Sequence, residues 1–310
     1  MRVVFLGSPP FGTPILERLA ESAFRPSLVV TPPARPRGRG RKLAPQPLAE
    51  RAGALGLELL QPRTVRDPEV MERLAAESPD VVVVASYGEL LRQEFLDLPR
   101  LASLNVHPSL LPRWRGATPV PATLLAGDQI TGVSVQRLVL ELDAGDVLVA
   151  RESPVDQEET AGELLDRMAL LGAEALIEGL SALESGEARF TPQDPADVTH
   201  CRKLSKEDGR LHWREPAPSL ALRVRAMNPW PGAHTTLAGG TVLSVWRARA
   251  VDESGDPGQV LRAEGGELVV ACGEGALSLL EVQVAGKKRM AAADWLRGSR
   301  LEAGTVLGTS

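Results

Sequence analysis

Short runs of β-branched and other apolar residues, separated by helix-forming stretches, constrain the fold of this chain most strongly. Val3 to Leu6 (VVFL), Ser27 to Thr31 (SLVVT) and Asp80 to Ser86 (DVVVVAS) carry apolar side chains at consecutive positions. A continuous apolar run bounded by turn signals predicts a strand buried on both faces. Such strands are typical of a parallel sheet that is covered by helices on both sides. We therefore expect an α/β fold with a mostly parallel sheet.

Hydrophobic periodicity predicts the remaining elements of this first region. A long helix is expected from Thr160 to Glu184, because Thr160 and Glu163 match a capping box and apolar residues follow at helical spacing. The other predicted helices are Pro14 to Ala20 and Glu69 to Glu77, and the other predicted strands are Leu57 to Leu60, Leu101 to Val106, Gly132 to Val139 and Asp146 to Ala150.

The chain changes character after Arg189. A polar, proline-containing stretch follows, then a predicted helix from Ser219 to Met227, then short apolar runs separated by glycine-rich turns. Short strands with such turns predict a small all-β domain, and a partly open, OB-like five-stranded barrel fits them. We predict a catalytic domain over 1–189, a linker over 190–207 and a barrel domain over 208–310. The predicted strands of the barrel are Thr241 to Val251, Gln259 to Arg262, Leu268 to Cys272 and Leu277 to Val284.

Composition excludes several classes of function. The formal net charge of -5 gives no generally cationic surface, so any nucleic-acid contact must come from a local basic patch. The two cysteines, Cys201 and Cys272, are far apart, and no histidines have metal-ligand spacing. No apolar run is long enough for a signal peptide or a membrane span. We expect a cytoplasmic protein without a metal, and GSPPFG after the first strand is no dinucleotide fingerprint.

Asn105 and His107 lie two residues apart at the end of a predicted strand. Residues at this spacing point to the same face of an extended chain. Pro108 keeps His107 in the extended conformation. Ligands of parallel α/β sheets bind outside the carboxyl ends of the strands, so this pair could donate hydrogen bonds to a developing negative charge. The alternative is a strand end whose polar side chains satisfy nearby backbone.

A carboxylate near the imidazole could orient it and accept a proton from an attacking amine. Asp143 lies in a turn after a predicted strand and is preferred to Asp146, which precedes an apolar run and is better placed to cap a turn. There is no G-x-S-x-G serine, and neither cysteine has the sequence context of a nucleophile paired with a catalytic histidine. The sequence therefore favours direct acyl transfer without a covalent enzyme intermediate.

The segment from Thr31 to Ala49 is strongly basic, with five cations and no acidic residue before Glu50. Its arginines alternate with glycines and prolines, so we expect a loop and no helix. Cations without counterions favour an anionic partner, and single-stranded RNA fits a flexible segment best. The alternative is a solvated surface loop.

The order of these motifs resembles that of the folate-dependent formyltransferases: a strand ending in N-x-H, then SLLP, then R-G, and later ELDAGD. The resemblance implies a Rossmann-like fold and 10-formyltetrahydrofolate as the formyl donor. It also implies that Asn105, His107 and Asp143 are catalytic. The folate contacts that it implies are Ser109, Leu110, Leu111 and Pro112.

The basic segment and the stretches KLSKEDGRLHW, RAMNPWPGAH and AGKKRM resemble the members of this family that act on methionyl-tRNA. The resemblance implies transfer of the formyl group to the free amino group of initiator methionyl-tRNA, and we expect a monomer. The implied tRNA contacts are Arg35, Arg37, Arg39, Arg41, Lys42 and Lys206.

Three alternatives share part of this pattern. A formyltransferase for an amino-sugar nucleotide or a purine precursor would keep the catalytic set without needing the basic segment. A hydrolase of 10-formyltetrahydrofolate would release formate without an acceptor. A non-catalytic RNA-binding module would bind tRNA without folate-dependent turnover.

Overall fold

A computed structural model describes residues 1–37, 42–44 and 46–308. Arg39 and Arg41, two of the predicted tRNA contacts, lie outside the described residues, as do the side chains of Arg35, Arg37 and Lys42. The chain divides into two compact units. The first contains Met1–Pro119, Ile130–Pro154 and Leu165–Cys201. The second contains Val120–Gln129, Val155–Leu164 and Arg202–Ser310. The domain boundaries expected from the sequence stay a prediction.

The described strands are β1 Val3–Gly7, β2 Leu28–Val30, β3 Arg35–Arg37, β4 Lys42–Ala44, β5 Leu59–Leu60, β6 Val81–Ala85, β7 Ala102–His107, β8 Arg115–Gly116, β9 Ile130–Arg137, β10 Val147–Pro154, β11 His200–Cys201, β12 Ala233–Thr236, β13 Val242–Val251, β14 Val260–Glu264, β15 Glu267–Ala271, β16 Ala276–Val284 and β17 Met290–Ala291. The described α-helices are α1 Gly12–Glu21, α2 Pro47–Ala54, α3 Pro68–Ala76, α4 Gln93–Leu96, α5 Pro119–Ala126, α6 Ala161–Ser185, α7 Ala217–Ala226 and α8 Ala292–Leu296.

The first unit is built on a sheet of order β10-β9-β7-β6-β1-β2-β5. The strands from β7 to β5 are parallel, whereas β9 runs antiparallel to β7 and β10 runs antiparallel to β9. The expected mostly parallel sheet is confirmed. Because β1, β6 and β7 are parallel, their carboxyl ends meet at one edge of the sheet, where Asn105 and His107 lie.

Burial explains why the apolar runs became the central strands. All five residues of β1 and of β6 are buried, so both faces of the sheet are covered there. On one face, Val4, Leu6 and Val82 pack in a cluster with Leu74 of α3 and Phe95 of α4. These contacts fix the strand ends that carry the polar site residues.

The second unit contains an antiparallel sheet of order β12-β13-β16-β15-β14, with β17 paired to β16. Residues near the carboxyl terminus connect its two outer strands. The N–H of Val260 donates to Thr305 O at 2.8 Å, and the N–H of Gly308 donates to Thr236 O at 2.9 Å. This segment therefore joins the β14 edge to the β12 edge, as a barrel-like sheet requires. The expected separate antiparallel β-domain is confirmed.

The basic segment differs from its prediction. Arg37 pairs with Lys42 and Arg35 with Ala44 in the short antiparallel ladder of β3 and β4, where the sequence analysis expects a loop. The prediction that residues 31–49 contain no helix is wrong at the end of the segment, because α2 begins at Pro47. Proline is compatible with the first turn of a helix, where its missing N–H has no intrahelical acceptor.

Candidate active site

The strand pairing of β7 and β9 assembles a row of polar side chains. Asn105 lies opposite Gln136, and His107 lies opposite Ser134. Directly opposite residues of an antiparallel pair point to the same face of the sheet. His107, Ser134 and Gln136 are buried, so this row lies on a covered face beside the carboxyl end of β7.

Asp143 reaches this row from the turn between β9 and β10. Its Oδ1 accepts a hydrogen bond from Gln136 Nε2 at 2.9 Å, and its Oδ2 accepts one from the N–H of Gly116 at 2.9 Å. The contacts with the other two predicted catalytic residues are longer, 3.5 Å to Asn105 Nδ2 and 3.7 Å to His107 Nδ1. The structure thus brings Asn105, His107 and Asp143 together. Asp146 instead contributes its backbone carbonyl, which accepts from Arg137 N.

The second contact of His107 determines which ring nitrogen carries a hydrogen. Its Nε2 lies 3.0 Å from the carbonyl oxygen of Trp114. A carbonyl can only accept, so Nε2 must donate, and Nδ1 is the nitrogen that faces Asp143. Trp114 has a φ of 59°, a left-handed conformation that is uncommon for a residue with a Cβ. The backbone of Trp114 is held there by the side chain of Thr199, which accepts from Trp114 N at 2.8 Å.

The four predicted folate contacts follow His107 directly. Ser109 is fully buried, and its hydroxyl donates to Arg113 O at 2.7 Å. Ser134 ties the segment to β9, since its hydroxyl donates to Ser109 O and accepts from Leu111 N. Leu110, Leu111 and Pro112 are only partly buried. An apolar segment with a fixed backbone therefore lies beside the polar row.

A cleft of about 390 Å³ opens beside the first residues of β7. Its wall includes Ser103, so it lies at the amino end of β7, whereas His107 lies at the carboxyl end. Leu140, which is 64% exposed, is a large apolar side chain on its rim. The volume is in the range of small-molecule sites. Other residues of the wall are Leu96, Leu101, Leu138 and Val139.

The stretch predicted as a connector supplies part of the site. β11 pairs with β8, so that His200 lies opposite Arg115 and Cys201 opposite Gly116. Burial raises the pKa of the Cys201 thiol, and the charge of Asp143 raises it further. The thiol is therefore neutral near pH 7 and a weak nucleophile.

Two glutamines that contact Asp143 at this site are not predicted from the sequence. Gln136 could have been found, because Ser134 and Gln136 alternate with valines in GVSVQ and are thus polar on one face of a buried strand. Gln193 gave no such signal. Its side chain contacts the Asp143 turn from an otherwise exposed segment without hydrophobic periodicity.

The predicted tRNA contact Lys206 is exposed and lies in the second unit, directly before the 3-10 turn Glu207–Gly209. Arg35, Arg37 and Lys42 lie in the β3–β4 ladder, which belongs to the first unit. Within the part of the chain that the structure describes, no group of three or more His, Cys, Asp or Glu side chains could hold a metal ion. Every described helix is also too short or too polar to span a bilayer.

Solved structures with a similar fold are formyltransferases and a folate-binding protein. WlaRD, a sugar 3N-formyl transferase crystallised with dTDP and 5-N-formyl-THF, has a TM-score of 0.67 at 12% identity, covering 93% of this chain and 99% of its own. HypX from Aquifex aeolicus, in complex with tetrahydrofolic acid, has a TM-score of 0.64 at 22% identity, covering 96% of this chain and 47% of its own. At these identities the likeness shows the fold alone.

Sequence comparison gives the family. The model described as "Formyl transferase" matches residues 1–180, and "Formyl transferase, C-terminal domain" matches residues 203–300. A protein of Methylococcus capsulatus named methionyl-tRNA formyltransferase is 47% identical, with 100% of both chains covered. One of the same name from Thiobacillus denitrificans is also 47% identical, with 99% of this chain and 100% of its own covered. The chain therefore belongs to the methionyl-tRNA formyltransferase family.

Proposed function

We propose that this protein transfers the formyl group of 10-formyltetrahydrofolate to the free amino group of initiator methionyl-tRNA. The product, N-formylmethionyl-tRNA, serves translation initiation. The observation that carries the proposal is the 47% identity with the Methylococcus protein over the whole of both chains. The convergence of Asn105, His107 and Asp143 supports it independently of that likeness.

The bound donor supplies an activated formyl carbon. The methionyl nitrogen forms a bond to that carbon, the bond to the folate nitrogen breaks, and the amine loses a proton. Negative charge develops on the formyl oxygen during this exchange. Asn105 Nδ2 donates to it, since only one of its two hydrogens faces Asp143, and the doubly protonated ring of His107 supplies the Nδ1 hydrogen as the second donor. Each fixed donor of this kind contributes about 10²–10³-fold in rate.

Asp143 has two roles in this proposal. Its Oδ1 lies 3.7 Å from His107 Nδ1, so the carboxylate orients the imidazole ring. It also accepts the proton of the attacking amine, directly or through water. Its hydrogen bonds from Gly116 and Gln136 fix its direction, so neither role requires the carboxylate to reorient during the reaction.

One feature suits the donor. The segment from Ser109 to Pro112 presents partly buried apolar side chains beside the catalytic row, at the carboxyl end of β7. We assign the donor to this segment.

The acceptor is assigned to the basic residues. Arg35, Arg37 and Lys42 of the β3–β4 ladder, together with Arg39 and Arg41 between its strands, would bind tRNA phosphates in this proposal. Lys206 adds an exposed cation in the second unit. We also propose that the protein acts as a cytoplasmic monomer. Charged initiator tRNA is a substrate of cytoplasmic translation, which supports the location.

A panel of acceptors tests the proposed function. The enzyme is given 10-formyltetrahydrofolate labelled in the formyl group, with charged initiator tRNA, uncharged initiator tRNA, an amino-sugar nucleotide, or no acceptor. Label should appear only in the charged tRNA. Label in the sugar nucleotide alone would indicate a small-molecule formyltransferase, and free formate without an acceptor would indicate a hydrolase.

A further inference from the structure

Gln193 inserts an amide side chain beneath the turn that carries Asp143. Its Nε2 lies 2.9 Å from Asp143 O and 2.7 Å from Gly145 O, so two carbonyls of one turn accept from one side chain. The same Nε2 is 3.4 Å from Gln136 Oε1. On the other side of the amide, Oε1 accepts from Arg115 Nε at 3.0 Å. Its immediate neighbours, Pro192 and Asp194, are exposed.

The partners fix the orientation of both glutamine amides. The Asp143 carboxylate contact requires a donor, so Gln136 must present Nε2 to it and direct Oε1 towards Gln193. The carbonyls of Asp143 and Gly145 also require a donor, so Gln193 must present Nε2 to them. Arg115 can only donate, so it meets Gln193 Oε1. Reversing either amide would place its oxygen against an acceptor and its nitrogen against a donor.

The turn needs external support because its backbone is unusual. Asp143 has a φ of 53°, in the left-handed region that is sparsely populated by residues with a Cβ. Gly145 approaches β9 so closely that a Cβ there would overlap the carbonyl oxygen of Arg137. Such a conformation persists only where surrounding contacts hold it. The two bonds from Gln193 are made to the carbonyls on either side of Ala144.

Arg115 connects the Gln193 side chain to the contacts of the other carboxylate oxygen of Asp143. Its side chain is 9% exposed, and its NH1 donates to Glu141 Oε1 at 3.2 Å, at the start of the same turn. The next residue, Gly116, donates its N–H to Asp143 Oδ2. Gln193 and Gln136 therefore hold the turn and Oδ1, while the strand that carries Arg115 holds Oδ2.

We propose that Gln193 is a positioning residue for the formyl transfer reaction. It holds the left-handed Asp143 turn, so that Oδ1 of Asp143 faces Asn105 and His107. The proposal rests on the proposed function for its kinetic readout. Gln193 acts only through Asp143, so its loss should lower kcat and leave KM unchanged. A general structural role would not predict this pattern.

The first test measures kcat and KM for Gln193→Ala and Gln193→Glu. Misplacing the carboxylate should lower kcat by about 10- to 100-fold. KM for the donor and for tRNA should stay within about twofold, because Gln193 contacts neither substrate in this proposal. Gln193→Glu should lose at least as much, since it places a carboxylate against two carbonyls. Asp197→Ala, an exposed position of the same segment, is the matched control and should retain full activity.

A double-mutant cycle with Asp143→Asn separates positioning from stability. In single-turnover reactions with excess enzyme, Gln193→Ala should change the rate of the Asp143→Asn enzyme by less than about twofold. The same 10- to 100-fold loss in both backgrounds would overturn the proposal. So would a Gln193→Ala enzyme with normal kcat, or one whose loss appears in KM or in the unfolding temperature alone.

Amide hydrogen exchange gives a readout that does not need activity. Loss of the Gln193 hydrogen bonds should release the Gly116 N–H from Asp143. Its exchange should therefore be faster in Gln193→Ala but not in Asp197→Ala. A wild-type enzyme without formyl transfer would refute the proposed function, and the Gly116 exchange would then decide the positioning role alone. Unchanged Gly116 protection in Gln193→Ala would overturn it.

Discussion

At the scale of single residues, Asp143 is the group around which the other polar side chains are arranged. Gln136 and the Gly116 N–H hold its two oxygens, and Asn105 and His107 lie slightly farther away. The longer contacts belong to the residues that would also contact the substrate in our proposal. The proposed site thus fixes the carboxylate firmly and leaves donor hydrogens of Asn105 and His107 available for the formyl oxygen.

Gly116→Ala should damage this arrangement selectively. Gly116 has a φ of 121°, and a Cβ there would overlap the carbonyl oxygen of Cys201. The strand must shift, and the charge-assisted hydrogen bond to Asp143 is lost, which is worth about 1.5–3 kcal/mol. We expect kcat to fall by about 10- to 100-fold.

Gly53→Ala is the matched control for Gly116→Ala. Gly53 lies in α2 with open space around its Cα, so alanine should leave the rate unchanged and stabilise the fold slightly. Steady-state formyl transfer and thermal unfolding of both variants check this prediction. Equal activities in the two variants would contradict the role assigned to the Gly116 N–H.

The sequence predicts part of this site and misses part of it for identifiable reasons. Asn105 and His107 follow from the period of a strand, and Asp143 follows from a turn after a strand. Gln136 has the same period-2 signal, but the signal does not show which residues it faces across the sheet. Gln193 reaches the site because the backbone returns to it after α6. The local sequence pattern carries no information about that path, so it cannot predict Gln193 as a site residue.

At the scale of elements, start signals decide which helices are recognised. The capping box of α6 forms as predicted, with Thr160 N donating to Glu163 Oε2 at 2.8 Å and Glu163 N to Thr160 Oγ1 at 3.4 Å. The sequence predicts neither α2 nor α5, which begin at Pro47 and Pro119, although it does predict a helix from Pro14 to Ala20. Proline occurs both in turns and in the first turn of helices, so the residue alone does not distinguish the two.

Thr160→Ala should destabilise the start of α6. Thr160 is buried, and removal of its hydroxyl leaves the N–H of Glu163 without its cap. Loss of an N-cap typically costs about 0.5–2 kcal/mol in the free energy of unfolding. Thr160→Ser keeps the hydroxyl and should lose less than half as much. Chemical denaturation of the two variants checks this, and equal losses would show that the hydroxyl is not responsible.

The same cap should make stability depend on pH. The hydrogen bond from the Thr160 backbone, followed by that from its hydroxyl, holds the pKa of Glu163 below its usual range. A lowered pKa in the folded state means that the stabilisation is complete above the unfolded pKa and is lost as the pH falls through the folded one. Wild type should therefore exceed Glu163→Gln in unfolding temperature at pH 7. The gap should close as the pH falls below about 4, and a constant gap would contradict the assignment.

At the scale of the whole molecule, the two large sheets have different roles in our proposal. The mostly parallel sheet ends in the candidate catalytic row, and the antiparallel sheet of the second unit carries no residue of that row. The alternation of apolar runs and glycine-rich turns is enough to predict both sheets. It cannot predict that residues 120–129 and 155–164 belong to the second unit, because no change in composition marks them.

Salt dependence tests whether the basic segment binds the acceptor. Removing one phosphate contact should reduce the slope of log K against log salt by about 0.7 to 0.9. Arg39→Ala should show this change in binding of initiator methionyl-tRNA. Arg18→Ala, which removes an exposed arginine of α1, is the matched control and should leave the slope unchanged. Identical slopes in both variants would remove Arg39 from the tRNA contacts.

The most direct measurement is single-turnover transfer of labelled formyl from 10-formyltetrahydrofolate to initiator methionyl-tRNA, by the wild-type enzyme and by Asn105→Ala. Wild type should label charged tRNA and leave uncharged tRNA unlabelled. Asn105→Ala should react about 10²–10³-fold more slowly while binding tRNA equally well. Failure of the wild type to label charged tRNA, or a near-normal rate in Asn105→Ala, would contradict the account.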